Sequence, residues 1–119
     1  GIIMTKLKLP LRDKNDDKVT YEQDKVPARK VLEFWDLQAK LESGEAYSPR
    51  DYLMDRIEFC ASLFSAKKVT AKAILDGLNA WELEETVDDI ILTAIGVRKE
   101  EDPKLQELAR QMVEKDSSN

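Results

Sequence analysis

The chain reads as a mainly α protein, an N-terminal β-hairpin followed by about five helices in a single compact domain. Three observations predict this. Apolar residues recur at helical spacing through most of residues 26–96, and a short period-two alternation precedes them. Capping residues, prolines and glycines stand where helices need starts and stops. A chain of 119 residues suits one domain, which at this size buries roughly two-thirds of its unfolded surface.

Ile3, Thr5, Leu7 and Leu9 alternate with Met4, Lys6 and Lys8, which predicts a strand ending at Pro10. Asp13-Lys14-Asn15-Asp16-Asp17-Lys18 is a polar turn, and Val19-Thr20-Tyr21-Glu22 returns as a second strand, so residues 1–23 form a hairpin. A lone hairpin is marginal, so this one must lie on the helices or pair with another chain. Its unpaired edge offers one route to self-association.

The helical core is expected over residues 26–96. Asp24-Lys25-Val26-Pro27 starts the first helix, with Asp24 or Lys25 at the cap, and Gly44 stops it after Ser43. Ser48-Pro49-Arg50-Asp51 starts the second with an N-cap, a proline at the first helical position and an acid in the first turn. Its main face carries Leu53, Met54, Ile57, Cys60, Ala61 and Phe64. Val69-Thr70 opens a third helix with the stripe Ala71, Ile74, Leu75 and Leu78. A fourth, over residues 82–95, groups Leu83, Val87, Ile90, Ile91 and Ala94 and stops at Gly96. Beyond a charged connector, a last helix is expected over residues 102–115 with Leu105, Leu108, Ala109 and Met112 on one side. Residues 116–119 form a tail with no reason to be ordered.

The first helix is unusual because it has two apolar stripes. Ala28, Val31, Leu32, Trp35 and Ala39 form one, and Phe34, Leu37 and Leu41 form another on nearly the opposite side. The second helix repeats this, with Tyr52, Phe59 and Leu63 off its main face. Either both helices are central and covered on two sides, or Phe34, Leu37 and Leu41 with Tyr52, Phe59 and Leu63 form a contact surface for a partner.

Composition excludes much chemistry. There is no histidine, hence no Ser-His or Cys-His nucleophile and none of the commonest zinc ligand. The one cysteine, Cys60, lies on an apolar helix face and reads as a small hydrophobe. No apolar run reaches the length of a membrane span and no signal peptide is visible, so a cytoplasmic protein without membrane partners is expected. Net charge is −5, with residues 1–30 carrying eight basic and five acidic side chains and the remainder 11 basic and 19 acidic. Such an acidic body lacks the positive surface that phosphate binding needs, and no nucleic-acid partner is expected.

Two other function classes can be drawn and read poorly. A helix-turn-helix within residues 50–79 would bring only Lys72 to a DNA groove, with Asp76 opposing it. A metal-dependent enzyme would need the carboxylates Glu82, Glu84, Glu85, Asp88 and Asp89. They fall in the first turns of a helix, where the dipole favours acids without any ligand, and Asn79 and Glu82 have capping-box spacing. No glycine-rich phosphate loop exists. No catalytic residue, cofactor or metal is therefore expected. Trp35 and Trp81 are either binding hot spots or, as is usual for tryptophan in a helical stripe, core residues.

Tyr21-Glu22-Gln23-Asp24-Lys25-Val26-Pro27-Ala28-Arg29-Lys30, then Leu37-Gln38, resembles the N-terminal pattern of the tail assembly chaperones of long-tailed phages and prophages of Gram-positive bacteria. Phe59-Cys60-Ala61-Ser62-Leu63-Phe64, Val69-Thr70 and Ile74-Leu75-Asp76-Gly77-Leu78 extend the likeness over about residues 19–96. The resemblance implies a small, mainly helical non-enzyme acting in the cytoplasm of the infected host and absent from the mature virion. Its implied partners are the tape measure protein, whose hydrophobic helices it keeps soluble, and the major tail protein, which it helps recruit. Many such phages also make a C-terminally extended form by frameshifting, and this chain is expected to be the short form. The family has no motif-level functional residues to place on this sequence.

Overall fold

Leu7, Leu9 and Leu11 can be buried together because alternate residues of a strand face one side, and that face is what attaches the hairpin to the helices. The computed structural model describes residues 6–97, 107 and 110–112. Strand β1 (Leu7–Arg12) pairs antiparallel with β2 (Lys18–Gln23) in the register Leu7 to Gln23, Pro10 to Thr20 and Arg12 to Lys18. The strand does not end at Pro10 as expected. Asp13 N–H donates to Asp17 C=O at 2.8 Å, so the N–H and C=O groups of odd-numbered β1 residues point at β2 and those of even-numbered ones point away. Pro10 therefore removes no ladder hydrogen bond. The turn is held by the Asp13 carboxylate, which accepts from the N–H groups of Asn15 (2.8 Å) and Asp17 (3.0 Å), while Asp16 takes the left-handed conformation (φ 64°).

About five helices follow, four of them with both ends among the described residues: α1 (Arg29–Glu42), α2 (Pro49–Ser62), α3 (Ala71–Gly77) and α4 (Leu83–Ala94). α1 starts later than Asp24-Lys25 suggested, with Ala28 in the cap position and no side-chain cap. Residue 26 precedes a proline and is biased away from helical geometry. The expected Ser48 cap is present, and Thr70 caps α3 in the same way. Ser48 Oγ accepts from Asp51 N–H at 3.0 Å, and Thr70 Oγ1 accepts from Ala73 N–H at 3.0 Å.

Gly44 and Gly96 both take φ 80° just past a helix end. At Gly96 the arrangement is a full Schellman motif: Gly96 N–H bonds Thr93 C=O at 3.1 Å, and Val97 N–H bonds Leu92 C=O at 2.9 Å. The Asn79–Glu82 pairing forms one turn ahead of α4, where Asn79 Nδ2 donates to Glu82 Oε1 at 3.2 Å.

Packing follows a simple order. β1 lies against α3 and α4, those two helices lie against α2, and α1 lies against α2. α2 is the central helix, and both its main face and its second stripe are covered: Tyr52, Ile57, Phe59, Cys60, Ala61, Leu63 and Phe64 are all buried. Met112 is buried with the same core, so the C-terminal helical residues dock back on the domain there. Ile3 and Thr5, the connector from residue 98, the rest of the last helix and the tail 116–119 lie outside the described residues.

Candidate functional site

α1 decides which apolar groups remain available to a partner. Its inward arc holds Phe34 and Gln38, fully buried, with Leu37 and Leu41 half-buried beside them. Phe34 meets the Phe59 ring of α2 at a centroid distance of 6.3 Å, and Gln38 Nε2 donates to the Tyr52 hydroxyl at 3.1 Å. Arg56 lies over the Tyr52 ring at 4.7 Å and pairs with Asp88 of α4, both side chains within the core. At the other end of the contact the Tyr47 hydroxyl donates to Asp55, which Lys40 also approaches at 3.2 Å. Lys40 sits 4.4 Å above the Tyr47 ring, whose edge meets Tyr52 at 5.8 Å. Burial, and then the Asp55 hydrogen bond, push the Tyr47 hydroxyl above its ordinary range.

The opposite side of α1 faces outward. Leu32 is 68% exposed and Trp35 46% exposed, with Ala28 and Ala39 on the same face. The Trp35 ring meets Phe34 edge to face at 5.3 Å, so an outward side chain is braced by an inward one. Next to this stripe Glu33, Asp36, Asp55 and Glu58 line a shallow groove between α1 and α2 that has Leu37 and Phe59 beneath it. The arrangement is an apolar ridge beside an acidic trough. Lys30 meets Glu33 at 3.1 Å and Lys40 meets Asp55 at 3.2 Å, so two of the four carboxylates are paired within the chain.

The structure covers the Phe34 stripe of α1 and leaves the Leu32 and Trp35 side open. Of the residues expected as a contact surface, Phe34, Tyr52, Phe59 and Leu63 are buried in the chain's own core, while Leu37 and Leu41 are half-buried at the rim. Leu32 and Trp35, of the other α1 stripe, are exposed. Trp81 is 81% exposed and Leu75 is exposed on α3, so neither tryptophan is a core residue. One signal for this was in the sequence. Gln38 lies on the Phe34 side, and a polar side chain that can satisfy Tyr52 marks where two helices meet.

The acids near the start of α4 scatter by role. Glu82 bonds Asn79, Asp88 turns inward to Arg56, and Asp89 faces solvent. Among the described residues no group of three or more His, Cys, Asp or Glu could hold a metal ion, and no helix is long and apolar enough to cross a membrane.

A family model described as phage tail chaperone protein matches residues 4–111, which takes in the hairpin, all four bounded helices and the α1 ridge. No curated protein and no solved structure matches the chain. A family match over nearly its whole length leads to one assignment: this chain belongs to the phage tail chaperone protein family.

Proposed function

We propose that the protein is a tail assembly chaperone that binds apolar helical segments of the tape measure protein and helps recruit the major tail protein around it. It is a binding protein, not a catalyst, working in the host cytoplasm and leaving before the virion is complete. The family membership supports the role. The observation that supports the surface is the outward ridge of Leu32 and Trp35 on α1, beside the groove lined by Leu37, Phe59 and four carboxylates. Apolar groups left exposed on α1, where Phe34 and Gln38 are the buried residues, cost solubility unless a partner covers them.

The test is co-expression with a tape measure protein from a related prophage. The wild-type chain should keep the tape measure soluble and co-elute with it. Leu32→Asp with Trp35→Asp should abolish co-elution while leaving the melting temperature within a few degrees, because both side chains face water in the free chain. Retained co-elution by this double variant would move the binding surface elsewhere. Precipitation of the tape measure beside free wild-type protein would remove the chaperone reading.

A further inference from the structure

We propose that β2 pairs antiparallel with β2 of a second copy of this chain, about a two-fold axis at Thr20, joining the two hairpins into a four-stranded sheet ordered β1-β2-β2-β1. The two edges of the hairpin differ. On β1 the outward-pointing positions are Lys8, Pro10 and Arg12, and this edge is closed. Pro10 has no N–H to offer, and Gly77 of α3 sits so close that a Cβ there would lie 2.9 Å from the Arg12 carbonyl oxygen. On β2 the same parity turns the backbone groups of Lys18, Thr20 and Glu22 outward. Among the described residues no loop or helix hydrogen-bonds them, and all three side chains are exposed.

The sequence of that edge is complementary to itself. With Thr20 opposite Thr20, Lys18 falls opposite Glu22 of the second copy, and Glu22 opposite its Lys18. Val19 falls opposite Tyr21, and Tyr21 opposite Val19. Every position finds a favourable cross-strand partner: two opposite-charge pairs, a threonine pair and two aromatic–β-branched pairs. The register is also consistent with the backbone, because Lys18, Thr20 and Glu22 are alternate residues and would all be hydrogen-bonded pairs of an antiparallel ladder. On the other face, Val19, 37% exposed in the single chain, would be covered by Tyr21 of its neighbour. An edge guarded only against aggregation needs charges of any arrangement; opposite charges placed symmetrically about one residue favour a two-fold partner.

The inference does not rest on the tape measure reading, since it uses a different surface. It is tested on the full chain by light scattering across a concentration series. The wild type should pass from one to two chains per particle. Lys18→Glu places like charges opposite each other twice, as does Glu22→Lys, and each alone should weaken association about tenfold or more. Mixing these two variants restores opposite charges at both positions, so the mixture should associate about as well as the wild type. Both substitutions are at the surface, and unchanged circular dichroism will verify the fold. A wild type that stays monomeric throughout, single variants that associate undiminished, or a mixture that stays monomeric would each overturn the proposal.

Discussion

At the residue scale the core is organised by one charge pair. Arg56 and Asp88 are buried together between α2 and α4, and both helix stripes that flank them are apolar. Asp88→Ala takes the carboxylate away from the buried Arg56 guanidinium and should destabilise by about 3–5 kcal/mol in urea unfolding. Replacing both, Arg56→Met with Asp88→Leu, should recover most of that loss. This pair was not legible in the sequence. Asp88 reads as one more acid in an acidic helix start, and only its inward position on α4 separates it from Asp89. Cys60 was legible, as a small apolar side chain. Burial, with the Asp88 charge second, pushes its thiol from 9.0 up to about 12. A raised value favours the neutral thiol in the folded state. Stability is thus full below pH 9 and falls as pH climbs toward the folded value, at a limiting slope of about 1.4 kcal/mol per pH unit. Cys60→Ala should flatten that decline, and thiol reagents should modify Cys60 only as the protein unfolds.

At the element scale, caps and stops were the most readable features. Ser48, Thr70, Gly44 and Gly96 each do what their residue type implies, because capping is local chemistry that needs no knowledge of neighbours. Packing direction was less readable. α1 is apolar on two sides, and periodicity alone does not say which side meets α2. Tyr52 and Phe59 decide it, by offering a hydroxyl to Gln38 and a ring to Phe34. β1 extends past Pro10 for a similar reason, since whether a proline breaks a ladder depends on which way its missing N–H would have pointed. The seating of α3 is a further case. Gly77 lets the helix approach β1 to van der Waals distance, and an added methyl would meet Arg12 C=O and Leu11 Cβ at about 3 Å. Gly77→Ala should therefore cost about 1–3 kcal/mol, against the small gain an exposed helical site would show. A thermal melt of the two proteins checks it.

At the scale of the whole molecule, burial among the described residues is concentrated in α2, α4 and the inner face of β1, and two of the surfaces left open lie at the ends of the packing order. One is the α1 ridge with its acidic trough; the other is the open edge of β2. The fold class and the family resemblance were legible because they rest on periodicity and on residues in order along the chain. The exposed α1 ridge was not, because exposure is defined by what the rest of the molecule fails to cover.

The most direct measurement uses Trp35 as its own reporter. Trp81→Phe leaves Trp35 as the only tryptophan, on the surface proposed to meet the tape measure protein. Titrating this variant with a purified helical segment of the tape measure should shift tryptophan emission to shorter wavelength and saturate, as the half-exposed indole leaves water. If the two proteins co-elute while the emission stays unchanged, α1 does not carry the client. If they do not associate at all, the chaperone assignment of this surface is contradicted outright.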